Sequence, residues 1–155
     1  MQFEFAPDAS GLIASLQKIA DAAQQTVGPM GAAKRDAGII YLEGMRSRFD
    51  GSANWDELAA STQEQRRAHG YGPDDPILIQ SRDLLKSLVP GDPSNILTVL
   101  PDGVDAGTSL PKAAPLHFGA PSKNLPARPI LIDPDPRTDA AITERLAEGI
   151  REATK

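Results

Sequence analysis

The sequence predicts an α+β fold in which N-terminal helices and a C-terminal helix pack on a small antiparallel sheet, with Pro-rich extended loops. Three observations lead to this class. Apolar residues recur at spacings of three and four near both ends of the chain, as on the buried face of a helix. Two short apolar runs flank the turn sequence Pro101-Asp102-Gly103, which is typical of a β-hairpin. The 155 residues also include 13 Gly and 14 Pro, and most of the prolines follow residue 72.

The length suits a single domain covering residues 1–155. We divide it into residues 1–50 with an N-terminal strand and two helices, 51–94 with a loop and short helices, 95–132 with the β-rich part and its Pro-rich loop, and 133–155 with the C-terminal helix. Many of the apolar residues are Ala, so the core is lean for this length.

The N-terminal part is predicted to contain one strand and two helices. Residues 2–5 (Gln-Phe-Glu-Phe) alternate polar and apolar side chains, as a half-buried strand does. Ser10 is a suitable N-cap for the first helix, and Gly28-Pro29 ends it. Its apolar residues form one stripe that we expect to be buried: Leu12, Ile13, Leu16, Ile19, Ala20, Ala23 and Val27. A second helix is predicted over residues 30–49, and its small residues would let another helix approach closely: Ala33, Ala37 and Gly44.

The middle of the chain is predicted to consist of loops and short helices. A loop carrying the single Trp of the chain, Trp55, precedes a short polar helix over residues 61–69. Gly70 ends that helix. Residues 81–88 are predicted to form about two further helical turns.

The last third is predicted to be mainly β until its final helix. Strands are predicted at residues 96–100 and 104–110, joined as a hairpin, and a third at residues 130–132. Residues 111–126 are Pro-rich and predicted to be irregular. The last helix is predicted over residues 138–153, because its apolar residues lie one turn apart: Ile142, Leu146 and Ile150.

Composition excludes several functional classes. The chain has no Cys, so it has no disulfide, thiolate metal site or cysteine nucleophile. Two His are too few for most zinc sites. No apolar run approaches the roughly 20 residues of a membrane span, and the N-terminus lacks the layout of a signal peptide. The net charge of −5 argues against a protein that wraps DNA. We expect no cofactor.

Two candidate acid–base groups have simpler structural interpretations. Asp133 and Asp135, in Asp-Pro-Asp-Pro, have the chemistry to bind a metal or move a proton. A turn and helix cap before Thr138 is favoured, because each Pro fixes the backbone and no third ligand is nearby. His117 lacks a nearby nucleophile and orienting acid, so a packed or interface His is favoured over a catalytic one.

Trp55 and Arg128 are the strongest candidates for anchoring roles. A single Trp suits a core plug and an interface anchor equally well. Arg128 lies in Pro126-Ala127-Arg128-Pro129, where two prolines hold the backbone extended. Its guanidinium has two possible roles: to bridge to a carboxylate within the subunit or on a neighbour, or to stay solvated at the surface.

Four separated pieces of the sequence follow one recognisable order. They are Trp55-x-x-Leu58 followed by Thr62 and Arg66-Arg67; Ile79-x-Ser81-x-x-Leu84-x-x-Ser87; His117-Phe118-Gly119; and Pro126-Ala127-Arg128-Pro129-Ile130-Leu131. Together they span residues 55–131 and resemble the tailed-phage virion morphogenesis family, also called the tail completion family. The sequence departs from the family pattern in three places: Asp83 replaces a Gly with Arg82 inserted, Ala113-Ala114 replace Tyr-Ala, and Ile130 replaces an aromatic residue.

The resemblance implies a structural protein rather than an enzyme. Members of this family form rings at the head–tail junction or at the head-proximal end of the tail, where they complete the tail and join it to the head. It implies a homo-oligomer, expected to be hexameric, whose partners are neighbouring neck and tail-tube proteins. It places the protein in the virion, with assembly in the host cytoplasm. DNA would pass through the ring without specific binding, so we expect a neutral or acidic lumen.

The resemblance also marks residues expected at or beside subunit contacts: Trp55, Leu58, Thr62, Ser81, Leu84, Ser87, His117, Phe118, Gly119, Pro126, Ala127, Arg128 and Pro129. A head-side connector or stopper is the alternative within the structural class, because both are small α+β ring subunits. The alternative from another class is a small virion-associated hydrolase that uses His117 with Asp133 or Asp135.

Overall fold

A computed structural model describes residues 10–50, 55–72, 75, 78 and 82–155 of the chain. Its helices are α1 (Ser10–Ala23), α2 (Gly28–Ser47), α3 (Ala60–Ala68), α4 (Asp83–Lys86), α5 (Ala113–Phe118) and α6 (Pro136–Ala153), and its strands are β1 (Asn95–Leu100) and β2 (Gly103–Thr108). Short 3-10 helices cover Arg48–Asp50 and Pro121–Lys123. The predicted α+β class is confirmed. The strand predicted at residues 2–5 lies outside the described residues.

Helices α2 and α6 pack against each other in antiparallel directions and form the centre of the fold. Near one end, a Cβ on Gly44 would lie 3.0 Å from the Thr138 side chain. Near the other, a Cβ on Gly149 would lie only 2.3 Å from the Cβ of Ala33. The predicted close approach is thus confirmed at Ala33 and Gly44, since small residues on both helices let the backbones come together.

The β-hairpin packs on α2. Strands β1 and β2 are antiparallel, in a register that runs from Asn95↔Thr108 to Leu100↔Gly103. The hairpin was therefore predicted correctly, with ends that differ by one or two residues. Buried Lys34 of α2 donates hydrogen bonds to the carbonyl oxygens of Leu100 and Pro101, at 2.9 and 2.7 Å. These bonds fasten the hairpin turn to the helix.

The third strand predicted at residues 130–132 is wrong, because the sheet of the described residues has two strands. The backbone amides of Ile130 and Leu131 donate instead to Nδ1 of His117, at 3.1 and 3.4 Å. The carbonyl of Ile132 accepts a hydrogen bond from the hydroxyl of Tyr41 at 3.0 Å. Burial is the main cause that raises the pKa of this Tyr41 hydroxyl. Side chains thus satisfy backbone groups that a sheet would otherwise pair.

The segment at residues 111–126 is more ordered than predicted, because it contains α5 and a 3-10 turn. Pro115 lies in the first turn of α5, where no intrahelical donor is needed. Gly119 then ends the helix with a φ of +78°. The short helix predicted at residues 61–69 and the last helix predicted at residues 138–153 are confirmed as α3 and α6 within two residues at each end.

Helix α1 forms as predicted, but its apolar stripe is not buried. The exposed fractions are 63% for Leu12, 60% for Ile13, 56% for Leu16 and 43% for Ile19. The helix also ends at Ala23, and Val27 beyond it is 76% exposed. The buried core lies elsewhere, around Leu42, Met45, Phe49, Leu84, Leu88, Ala113 and Ile130.

Candidate subunit interface

Two of the four sequence pieces are joined by crossed hydrogen bonds. The indole Nε1 of Trp55 donates to the carbonyl oxygen of Pro129 at 3.3 Å. The guanidinium of Arg128 donates back to the carbonyl oxygen of Asp56, also at 3.3 Å. A further bond reaches the Pro129 carbonyl from Arg48 at 3.4 Å. We call residues 55–56 and 128–129, held together in this way, the clasp.

The clasp is anchored on the core through its Trp. The Trp55 ring meets the ring of buried Phe49 edge to face, with centroids 5.5 Å apart and an interplanar angle of 74°. This arrangement is favourable for aromatic pairs beyond the area that they bury. Trp55 therefore packs against the core as a plug does, although part of its surface remains exposed.

Arg128 is 3% exposed, and its hydrogen-bond partner is a carbonyl. Arg128 forms no ion pair among the described residues, so the expected bridge to a carboxylate is not found there. Its Nε has no hydrogen-bond partner there either. A buried cation without a counter-charge is costly, so an acidic group from outside the subunit would be stabilising here.

The third sequence piece is bonded to the fourth. Nδ1 of His117 accepts both hydrogen bonds from Ile130 and Leu131, and this requires a neutral ring with its proton on Nε2. The carbonyl of Leu116 accepts a bond from the backbone amide of Arg128 at 2.8 Å. His117 is therefore packed within its own subunit, which is one of its two predicted roles, and an interface role stays a prediction.

Gly119 allows these two segments to meet. A Cβ at this position would lie 2.9 Å from the backbone nitrogen of Ala127 and 3.0 Å from the carbonyl oxygen of Leu125. Its φ of +78° is one that L residues rarely adopt. Both space and conformation therefore require glycine. Beside it, Phe118 projects outward with 77% of its surface exposed and stacks edge-on against His117.

The described motif residues of the remaining piece, Leu84 and Ser87, lie in the core. Leu84 and Ser87 are 1% and 0% exposed. The Ser87 hydroxyl donates to the Leu84 carbonyl at 2.7 Å, and Asn95 of β1 donates to the Ser87 carbonyl at 3.0 Å. Arg82, inserted relative to the family pattern, takes a left-handed φ of 56° directly before α4. This piece ties α4 to the sheet.

The structure divides the expected contact residues by exposure. Buried ones are Leu84, Ser87 and Arg128; half-buried ones are Trp55, Leu58, His117 and Gly119; exposed ones are Thr62, Phe118, Pro126, Ala127 and Pro129. Ser81 lies outside the described residues. Five of them line one groove of about 610 Å³, which we call the clasp groove: Leu58, Thr62, Leu84, Pro126 and Arg128. Their contact with another subunit stays a prediction.

The acidic pair before α6 has the predicted capping role at Asp135. One carboxylate oxygen of Asp135 accepts from the backbone amides of Arg137 and Thr138, at 2.9 and 3.1 Å, and the other from the Thr138 hydroxyl at 2.7 Å. These bonds, with the hydroxyl foremost, hold the pKa of Asp135 below its ordinary value of 3.8. Among the described residues, no group of three or more His, Asp or Glu is placed to hold a metal ion.

Sequence reasoning missed the structural role of two polar residues. Lys34 holds the hairpin turn, and Arg66, 9% exposed, donates to the Asp75 carbonyl at 3.0 Å and lies over the Tyr71 ring. Both lie on helices where a basic residue ordinarily faces water. The sequence signal for Arg66 is its place in the Trp55-to-Arg67 piece, whereas Lys34 carries none.

No protein-family model matches this chain, and no curated protein or solved structure is significantly similar to it. Across the part of the chain that the structure describes, no helix has the length and apolarity needed to cross a membrane.

Proposed function

We propose that this chain is a structural virion protein of a tailed bacteriophage, which forms a ring at the head–tail junction or the head-proximal end of the tail. The observation that carries the proposal is the clasp. Pieces of sequence more than 70 residues apart, ordered as in the tail completion family, bond to one another through Trp55 and Arg128, and His117 bonds to the adjoining Ile130. The order of these pieces along the sequence has a structural reason when the pieces contact one another in the fold.

The clasp, together with the neighbouring Phe118 and Pro126, has the properties of an assembly surface. Its exposed part is stiffened by Pro126 and Pro129 and carries the large apolar side chain of Phe118. Arg128 adds a positive charge with no carboxylate partner in the described part of the chain. A neighbouring subunit with an acidic and an apolar group would complement both features, as a closed hexameric ring requires.

The hydrolase alternative is weakened by how two of its three candidate groups, His117 and Asp135, are used. Nδ1 of His117 already accepts hydrogen bonds from two backbone amides. Both carboxylate oxygens of Asp135 cap α6. A general base needs a free acceptor that points at a substrate proton, and these two groups are committed to the fold.

Native mass spectrometry and negative-stain microscopy of the purified protein test the ring. We expect six-subunit rings, formed either alone or on added tail tubes. A protein that stays monomeric at all concentrations and does not bind tail tubes would overturn the proposal. So would a phage that lacks the gene and still makes joined, infectious particles.

Phage mutants that lack heads or tails separate the tail-completion role from the head-side connector or stopper role. If the protein completes the tail, tails purified from a phage that cannot make heads should contain it. If it is the head-side connector or stopper, it should be found instead on filled heads from a tail-less mutant. Its gene should lie between the genes for the major capsid and tail-tube proteins.

A variant pair links the clasp to assembly. Phe118→Ala removes an exposed side chain, so the monomer should unfold at an unchanged denaturant concentration while ring formation is lost. Val27→Ala is the matched control, because Val27 is equally exposed, at 76%, but lies far along the chain from the clasp. Normal rings from Phe118→Ala would exclude this residue from the interface.

A further inference from the structure

Helix α1 packs with its polar face and leaves its apolar face uncovered. On the packed side, the ammonium of Lys18 donates to the carbonyl of Thr154 at the end of α6, and Ala22 is 2% exposed. The uncovered side carries the four largest apolar residues of the helix: Leu12, Ile13, Leu16 and Ile19. At about 100° per residue, the two sides lie roughly 130° apart around the helix.

This arrangement is unfavourable for a helix in water. Lys18 and Asp21 are the charged residues of α1, too few to solvate a helix of 14 residues. A contiguous exposed apolar stripe on a folded domain marks an interaction surface. The stripe therefore needs a partner that offers an apolar concave surface of matching length.

The same chain contains such a surface. A groove of about 810 Å³ lies between α2, β2 and α6, and we call it the β2–α6 groove. Its wall is mostly apolar or small and includes Ala37, Ala106, Leu131, Ile142 and Leu146. Strand β2 follows its length, and six residues of strand span about 20 Å. The 14 residues of α1 also span about 20 Å.

We propose that α1 of one subunit lies with its apolar stripe in the β2–α6 groove of the next subunit. This inference rests on the proposed ring function. Ala23, the last residue of α1, lines the groove of its own chain, so each subunit projects its helix from beside its own groove. Helix and groove are different surfaces, and such a contact repeats around a ring. Pairing of α1 with another α1 would stop at two subunits and leave the grooves empty.

The contact is small. It consists mainly of four side chains on one helix, well below the roughly 800 Å² per partner of a standard interface. One such contact alone is therefore weak, and the closed ring, with the clasp contacts, holds the subunits. Dilute protein is expected to be monomeric.

Disulfide trapping tests the contact directly, because the chain contains no Cys. Leu16→Cys and Ala106→Cys are made in separate chains and mixed under oxidising conditions, so a Leu16–Ala106 cross-link can only join two subunits. A disulfide forms when the two Cα atoms approach within about 7 Å. We expect this cross-link to be the main product by peptide mass spectrometry. Ala14→Cys in place of Leu16→Cys puts the thiol on the opposite side of α1, and we expect no cross-link from it to the Ala106→Cys chain.

Other products would overturn the proposal and identify the true occupant. A disulfide between two Leu16→Cys chains as the main product would mean that the α1 helices of two subunits pair with each other. Phe3→Cys in place of Leu16→Cys tests residues 1–9, and a dominant cross-link from Phe3 to Ala106 would assign the groove to that segment. Absence of any cross-link to Ala106 would also overturn the proposal.

The outcomes separate this inference from the proposed function. Native hexameric rings without the Leu16–Ala106 cross-link would refute helix docking and leave the ring function intact. The cross-link without closed rings would support docking and refute the ring. As a second readout, Leu16→Asp should abolish rings without shifting the urea midpoint of the monomer, whereas Ala14→Asp should retain them.

Discussion

Helices α1 and α6 have similar amphipathic patterns but opposite environments. Both carry apolar residues one turn apart, yet Ile142, Leu146 and Ile150 of α6 are half-buried while the stripe of α1 is exposed. Helix α6 also has an Asp135 cap and a charged outer face. Gly149 lets it approach α2 closely. The glycine of α1, Gly11, has no other group within 4 Å of its Cβ position. An apolar period therefore shows that a face is suited to burial without showing which molecule covers it.

The largest expected difference between the helices comes from adding one methyl group. Gly149→Ala places a Cβ 2.3 Å from the Cβ of Ala33 unless the helices separate. Overpacking of this kind costs about 1–3 kcal/mol of unfolding free energy. In α1, Gly11→Ala meets nothing within 4 Å and, in the first turn of the helix, should stabilise by at most about 0.5 kcal/mol through helix propensity. Urea denaturation measures both, and equal signs for the two changes would contradict the packing described here.

Truncating one leucine in each helix tests the same contrast in the apolar faces. Leu146→Ala removes a half-buried side chain between α6 and the hairpin and should cost about 1–2 kcal/mol. Leu16→Ala, at 56% exposure, should change monomer stability by less than about 0.5 kcal/mol. Both are measured by urea denaturation at a concentration where the protein is monomeric. A large loss for Leu16→Ala would mean that α1 is covered within its own subunit.

The sequence predicted what depends on local period and turn chemistry. The α2 and α6 helices, the hairpin and the Asp135 cap are of this kind, because spacing and cap residues are local. The prediction of a third strand failed because an apolar run such as Ile130-Leu131-Ile132 occurs both in strands and in irregular segments of the core. His117 decides between the two, because its ring nitrogen accepts hydrogen bonds from the backbone amides of Ile130 and Leu131. That partner is brought close only by the tertiary fold.

The candidate site shows the same division. The order of four pieces indicated that they belong together, but not that Arg128 would bond to the Asp56 carbonyl or that Leu84 would be buried. The burial of the α1 stripe was mispredicted because the sequence does not show which face of α1 packs against the rest of the subunit. Which face contacts α6 is set by Lys18 and Ala22, and neither residue stands out in an apolar pattern.

The Asp135 N-cap gives α6 a pH-dependent contribution to stability. The pKa of Asp135 is below 3.8 in the folded state, chiefly because the Thr138 hydroxyl donates to it. Its stabilisation is therefore fully present above the unfolded value of 3.8 and lost as the pH falls through the lower folded value. Asp135→Ala should lower the urea midpoint at pH 7 and flatten its fall on acidification. Asp135→Asn keeps the cap and should change only the acid dependence, whereas Ser10→Ala in α1 should leave that dependence intact.

The smallest expected effect concerns the ion pair that joins α6 to α2. Arg145 donates to the carboxylate of Asp36 at 2.9 Å, but the two side chains are 24% and 46% exposed. Water and salt screen such pairs, so Asp36→Asn should cost less than about 1 kcal/mol, and the loss should shrink in high salt. Asp21→Asn in α1 is the matched control, with no expected change. Urea midpoints at low and high salt measure the difference, and a salt-independent loss at Asp36 would mean that the carboxylate acts through packing rather than charge. Small residues would then account for the α2–α6 contact without help from charge, which would sharpen the contrast with α1.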